Sequence, residues 1–138
     1  MSIEKKLLGT TSGKSAPNVE DVFSTYLYEG TGSTRTITNG IDLDGEGGLV
    51  WTKQRNSSNS HALVDTERGT KNTARCDTTD PAYDFETVTG FNSNGYTINT
   101  STWVNANTDT YASWTFRKAE RFFDIVTYTG DGNDNRVI

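Results

Sequence analysis

The sequence feature that most constrains the fold is a pair of strand-like runs joined by a short polar segment. Residues 49–55 and 61–68 are rich in β-branched, aromatic and aliphatic side chains, and residues 56–60 between them are all Asn or Ser. Two such runs with a short turn-forming connection predict a β-hairpin. Side chains alternate along a strand, so Leu49 and Val50 face opposite sides. Apolar residues on both faces indicate a central strand between two layers.

The composition extends this prediction to the whole chain. The 138 residues, enough for one domain, include 23 Thr, 12 Asn and 13 Gly but only six Leu and one Met. Threonine favours strands, whereas Asn and Gly favour turns. With only 32% hydrophobic residues, we expect a thin core and polar outer faces. The predicted fold class is therefore all-β, an antiparallel β-sandwich.

Charge and apolar patterning exclude several classes of partner. The net charge is −5, and no basic cluster is large enough to bind nucleic acid. No apolar run approaches the roughly 20 residues that span a bilayer, and the N-terminus lacks the apolar core of a secretory signal. A single cysteine, Cys76, excludes an intrachain disulfide framework. The profile suits a protein made in the cytoplasm, including a virion protein made inside its bacterial host.

The chain divides into three predicted segments. Residues 1–20 have no sustained period and predict an extended N-terminal arm, ordered by a partner chain. Residues 21–121 form the β-sandwich module, and residues 122–138 open with a further strand-like run. The arm residues proposed to contact a partner are Lys5, Lys6, Leu7 and Leu8. The predicted strands lie at residues 22–28, 35–38, 49–55, 61–68, 83–89, 110–117 and 122–128, and residues 70–82 are expected to form a long surface loop.

The last segment repeats the first strand of the module. Phe23, Tyr28, Gly30 and Gly32 recur at a constant offset of 100 as Phe123, Tyr128, Gly130 and Gly132. Fixed-period similarity indicates tandem modules, although aromatic strands ending in Gly-x-Gly also recur by coincidence. Residues 122–138 are therefore either the opening strand of a second, incomplete module or a closing strand of the first. Because a lone strand cannot bury itself, we expect it to pair with the module or with a neighbouring chain.

Six segments together resemble a known family of phage modules. They are residues 21–28, 48–55, 65–69, 91–96, 111–118 and 123–130. In content and order they resemble a module of large structural proteins of tailed phages that infect marine bacteria and cyanobacteria. The likeness covers roughly residues 20–138 and keeps the order of its motifs. The chain departs from the family by stopping where a second module should begin.

The resemblance implies a fold, a location in the virion and a set of partners. It implies a jelly roll of the concanavalin or laminin-G type, found in tandem in tail fibres and other virion proteins. The expected function is that of a virion structural protein which anchors to the particle through its arm and serves host attachment. Expected partners are other virion proteins and copies of the same chain, for which a trimer is one arrangement. The resemblance supplies no catalytic residues, and we expect no enzyme.

Two acidic segments partly match a calcium-binding loop. Asp42, Asp44 and Glu46 occupy alternate positions before Gly47, as in the first half of such a loop. The position that needs a bidentate Glu is Lys53. A second partial match, at residues 131–135, has Asp131, Asn133 and Asn135 but no following Gly. The segments predict either a Ca²⁺ site in another geometry or solvated turns, and no other cofactor is expected.

Aromatic residues beside amides indicate an alternative function, carbohydrate binding. Trp103, Asn105 and Tyr83 are the candidate residues for recognition of a host surface glycan, because aromatic faces and amide groups suit polyols. Trp51 and Trp114 alternate with polar residues and are predicted to lie in the core.

Catalytic arrangements have little support in the sequence. The carboxylates are scattered, which disfavours glycoside hydrolysis, since that reaction needs two at a fixed separation. His61 is the only histidine, and Cys76 has no metal-ligand spacing around it. Structural or surface positions explain both residues better than catalysis.

Overall fold

A computed structural model describes residues 16–133 and residue 137. The described part of the chain contains two one-turn helices and nine strands, joined by turns and loops. In chain order they are α1 (Val19–Val22), β1 (Phe23–Glu29), β2 (Arg35–Thr38), β3 (Gly48–Gln54), β4 (Ala62–Asp65), β5 (Asn72–Thr73), β6 (Tyr83–Asp84), β7 (Val88–Asn92), β8 (Gly95–Ile98), α2 (Thr102–Asn105) and β9 (Thr110–Arg117). The predicted all-β, antiparallel class is confirmed.

The predicted central hairpin forms one side of a four-stranded sheet. β3 and β4 pair antiparallel, with Val50 opposite Val64 and Trp51 opposite Leu63. The sheet order is β1-β9-β3-β4, so β3 lies between two neighbours as expected. β9, which has the most regular alternation in the sequence, pairs with both β1 and β3.

A second sheet, of order β2-β8-β7, packs against the first to make the sandwich. Its inward side chains Ile37, Tyr96 and Ile98 are completely buried. The Tyr96 hydroxyl is 2.6 Å from Ser113 Oγ on β9, and Asn39 Nδ2 donates to Thr115 Oγ1 at 2.9 Å. Apolar burial and these hydrogen bonds between the layers join the two sheets into one core.

The tryptophans of the four-stranded sheet point away from this core, contrary to the prediction. Tyr111, Ser113 and Thr115 form the buried face of β9, whereas Trp114 is only partly buried on the opposite face beside Trp51. The reason is steric and polar. Small hydroxyl side chains on β9 leave room for the Tyr96 ring and supply its hydrogen-bond partner.

Several local predictions differ from the structure. The run expected as one strand over residues 83–89 is divided into β6 and β7, and the long loop contains the short strand β5, which pairs with β6. Residues 124–131 belong to no strand, although Phe123 bridges Ala119 and packs on Phe116 with ring centroids 5.3 Å apart. The three-segment division and the jelly-roll connectivity stay predictions. The extended arm stays one too, because residues 1–15 lie outside the described part of the chain.

Candidate functional site

Two of the three predicted glycan-binding residues, Tyr83 and Trp103, lie side by side. Tyr83 is on β6 and Trp103 on α2, and their rings meet edge to face with centroids 5.8 Å apart. Phe85 also meets Trp103, at 5.8 Å and 70°. Tyr83 and Phe85 remain 38% and 43% exposed. Three aromatic rings from two separate stretches of chain therefore form one partly exposed cluster.

Arg75 extends this cluster. Its guanidinium carbon lies 4.5 Å from the centroid of the Tyr83 ring and 5.9 Å from that of Trp103, within the range of cation–π attraction. The same side chain donates to the Tyr83 hydroxyl and pairs with Asp80. Arg75 therefore fixes the orientation of the Tyr83 ring.

These rings form one wall of an open cleft with a volume of about 530 Å³. The cleft is lined by Tyr83, Phe85, Thr100, Ser101, Thr102 and Trp103. Its volume lies within the range of roughly 300–1,000 Å³ that is typical of small-ligand sites. Aromatic rings offer apolar faces to the C–H groups of a sugar, and hydroxyl-bearing side chains can exchange hydrogen bonds with its hydroxyls. The cleft, which we call the aromatic cleft, has the chemistry of a polyol-binding surface.

Asn105, the third predicted residue, is buried and does not reach the aromatic cleft. Its side-chain amide donates to the carbonyls of Ser33 (2.6 Å) and Asn99 (2.8 Å), and its Oδ1 accepts from the Thr31 backbone N–H at 2.9 Å. These bonds fix the end of α2. Asn105 therefore positions the helix that carries Trp103.

The start of α2 is fixed as well. Ser101 precedes the helix, and its Oγ accepts a hydrogen bond from the Trp103 backbone N–H at 3.2 Å. Val104 is completely buried in the core between the two sheets. A one-turn helix is marginal by itself, so these anchors hold Trp103 in place.

The residues that line the aromatic cleft do not include a pair of carboxylates. None of its six lining residues is a carboxylate, a histidine or a lysine. Glycoside hydrolysis requires two carboxyl groups on either side of the scissile bond. The arrangement is suited to binding.

The carboxylates proposed for Ca²⁺ do not converge. Asp42 Oδ1 accepts a hydrogen bond from the Gly45 backbone N–H at 2.8 Å, which closes a local turn. Glu46 lines a groove beside residues 118–124. Among residues 16–133 and 137, no group of three His, Cys, Asp or Glu side chains is placed to hold a metal ion. Asp131 accepts from the Asn133 backbone N–H, and Asn135 lies outside the described residues.

The remaining sequence candidates occupy other places. His61 Nδ1 accepts a hydrogen bond from the Trp51 indole N–H at 2.8 Å, so the histidine orients a tryptophan of the four-stranded sheet. Cys76 is a free, exposed thiol in the loop between β5 and β6. The predicted partner-binding residues Lys5, Lys6, Leu7 and Leu8 lie outside the described residues.

Two members of the cluster were missed in the sequence. Phe85 follows Tyr83 by two residues, the spacing that puts both side chains on one face of an extended chain, so a detectable signal existed. Arg75 had no such signal, because only the pairing of β5 with β6 brings it near Tyr83.

Comparison with protein families gives a match over most of the chain. The family described as a domain of unknown function (DUF7483) matches residues 18–138. No curated protein and no solved structure matches the chain. Within the described residues, no helix has the length and apolar character needed to cross a bilayer.

Proposed function

The chain belongs to the DUF7483 family, a domain of unknown function, and we propose that it is a structural module of a phage virion that serves host attachment. Its place is a tail fibre or a related appendage, and it is not an enzyme. The observation that supports this proposal is the aromatic cleft, an exposed surface lined by aromatic and hydroxyl-bearing side chains and without a carboxylate pair, built on an antiparallel sandwich. The sequence resemblance to marine phage structural modules supports the location.

Anchoring to the particle is assigned to the arm, residues 1–20, with Lys5, Lys6, Leu7 and Leu8 as contacts to other virion proteins. The test is to purify particles from a host that supplies either the full chain or a chain lacking residues 1–20. We expect the full chain in the particles and the shortened chain in the unassembled fraction. Incorporation of both at equal levels would show that the arm is not the anchor, and absence of the full chain from particles would refute the virion role.

A second candidate function, lectin-like recognition of a host surface glycan, is favoured by the contacts inside the aromatic cleft. Trp103 holds Tyr83 and Phe85 at steep interplanar angles of 87° and 70°, so the cluster presents ring faces in more than one direction. Hydroxyl-bearing residues 100–102 lie beside them. A sugar ring could stack on one aromatic face while its hydroxyls bond to these side chains.

The glycan hypothesis is tested on an array of bacterial surface glycans followed by titration of the strongest ligand. We expect Trp103→Ala and Phe85→Ala each to weaken binding about tenfold, equivalent to about 1.4 kcal/mol. Phe122→Ala is the matched control, because Phe122 is exposed to almost the same extent as Phe85, 41% against 43%, and lies outside the aromatic cleft. Equal losses in all three variants, or no specific ligand on the array, would contradict the hypothesis.

The two functions separate in these experiments. Deleting residues 1–20 is expected to prevent incorporation while leaving any glycan binding intact. Trp103→Ala is expected to weaken glycan binding and to leave incorporation into particles intact, because Trp103 belongs to the aromatic cleft and not to the arm.

A further inference from the structure

The outer face of the four-stranded sheet carries two successive cross-strand rows of apolar side chains. The first row contains Phe23, Phe116 and Leu49, with Asp65 at its β4 end, and the second contains Trp114, Trp51 and Leu63, with Thr25 at its β1 end. Within the rows, Phe23 and Phe116 have ring centroids 5.0 Å apart, and Trp51 and Trp114 have centroids 5.5 Å apart. All six apolar residues are partly buried. Leu27, in the next row, is 60% exposed.

This pattern differs from the outer face of the other sheet. There the side chains of β2 and β8 facing away from the core are threonines, such as Thr36 and Thr97, whose hydroxyls are 3.2 Å apart. A polar outer face is what an antiparallel sheet next to water normally shows. On the four-stranded sheet, Phe123 packs on Phe116 at one end of the apolar rows. An apolar sheet face that remains partly exposed in this way is a candidate for a protein–protein contact.

Two residues of opposite charge lie on either side of β9 at one end of the apolar rows. Beyond Leu27, the outward position on β1 is Glu29, opposite Thr110 of β9. On the other side of Thr110 is Arg55, whose backbone N–H donates to the Thr110 carbonyl at 2.7 Å. Alternation from Leu49 through Trp51 and Lys53 puts Arg55 on the same outer face. Glu29 and Arg55 are both exposed, and neither forms an ion pair with the rest of the described chain.

We propose that this outer face packs against the same face of a second copy of the chain. A two-fold axis parallel to β9 would place β1 of each copy over β3 of the other. Glu29 would then face Arg55 of the second copy, and the symmetry would repeat this pair. The Trp114 and Phe116 side chains of the two copies would meet near the axis. The Glu29–Arg55 pairing is therefore self-complementary, which favours a second copy over an unrelated partner.

The face is small for a protein–protein interface. Its strands β1, β9, β3 and β4 have 7, 8, 7 and 4 residues and lie about 4.8 Å apart, so they cover roughly 420 Å² of projected area per copy. That is below the roughly 800 Å² per partner of a standard stable interface. We therefore expect a dimer that dissociates on dilution. This inference does not depend on the proposed virion role or on the aromatic cleft.

Sedimentation velocity of the full chain, over a range of protein and salt concentrations, tests the proposal. We expect a monomer–dimer equilibrium that weakens as salt rises. Glu29→Arg and Arg55→Glu, each alone, are expected to raise the dissociation constant about tenfold by placing like charges opposite each other. The double variant is expected to recover most of the affinity. Asp77→Arg, a charge reversal in the exposed loop between β5 and β6, is the control and should leave association unchanged.

Three results would overturn the proposal. A monomer at every concentration would leave the outer face to be covered by residues 122–133 of the same chain. A dimer that the single charge reversals do not weaken would place the interface elsewhere. The third result is a double variant that does not recover its affinity for a second copy, while all variants keep the wild-type melting temperature when dilute. That result would refute the two-fold pairing of Glu29 with Arg55.

Discussion

At the scale of single residues, Asn105 is the polar side chain on which the local structure near the aromatic cleft most depends. Its three hydrogen bonds to backbone groups join α2 to residues 31–33 and to Asn99. Replacing a buried amide of this kind leaves its backbone partners without hydrogen bonds, and each unsatisfied group has a desolvation penalty.

We therefore expect Asn105→Ala to lower the free energy of unfolding by roughly 2–4 kcal/mol, measured by urea denaturation. Asn107→Ala is the matched control. Asn107 is an exposed residue just beyond α2, so its substitution should change stability by no more than about 0.5 kcal/mol. A loss below about 1 kcal/mol for Asn105→Ala would show that water replaces the lost bonds.

At the scale of elements, the hairpin of β7 and β8 depends on a glycine where a third strand passes. Gly95 has φ of 152°, and a Cβ atom at this position would collide with the carbonyl oxygen of Ile37 on β2. Thr38 of β2 pairs with Gly95, so the collision lies within the β2–β8 ladder. The absence of a side chain at residue 95 therefore allows β2 to join the second sheet.

Gly95→Ala is expected to destabilise the fold by about 3 kcal/mol or more, because the backbone of β2 has to move. Gly40→Ala separates this effect from backbone strain alone. Gly40 also has a positive φ, 84°, but a Cβ atom added there would meet no heavy atom within 4 Å beyond its chain neighbours. Its replacement should cost only about 1 kcal/mol. Thermal unfolding measures the loss of stability in both variants. Similar losses in Gly95→Ala and Gly40→Ala would contradict the close approach of β2 as the cause.

At the scale of the whole molecule, buried tyrosines make the sandwich sensitive to alkaline pH. Burial raises the pKa of both Tyr28 and Tyr96 well above the ordinary value of 10.0. The Tyr28 hydroxyl donates to the Val104 carbonyl at 2.7 Å, and Tyr96 is bonded to Ser113 across the core. In the folded state these groups keep their protons at pH values at which the unfolded chain loses them.

Above pH 10, the unfolded chain therefore binds fewer protons than the folded one, and the free energy of unfolding should fall as pH rises. Burial raises the pKa of Tyr111 as well, so three tyrosines contribute. The slope from each approaches about 1.4 kcal/mol per pH unit as pH rises above 10, and it fades below about pH 9, where both states are protonated. Urea denaturation at several pH values between about 8 and 11 measures the effect, because this range brackets the ordinary tyrosine pKa. Tyr96→Phe should remove the contribution of one tyrosine, and an unchanged slope in this variant would contradict the assignment.

Much of the fold was predictable because its signals are local. Strand-forming residues, period-two alternation and turn residues indicated the β3–β4 hairpin, and the positions of β1, β2 and β9 matched within about one residue. The run over residues 83–89 was less predictable. β6 pairs with β5, whereas β7 pairs with β8, and a single propensity pattern does not reveal that neighbouring residues belong to different sheets.

What the sequence alone determined is the all-β class and the two faces of each strand, since both follow from local alternation and composition. Which face is buried was decided by the tertiary structure. On β9, the hydroxyl face turns inward because Tyr96 of the opposite sheet fits against Ser113, and the tryptophan face is left outside. The aromatic cleft has the same origin. The pairing of β5 with β6 brings Arg75 to Tyr83, and the contact between the Tyr83 and Trp103 rings adds α2, a later part of the chain.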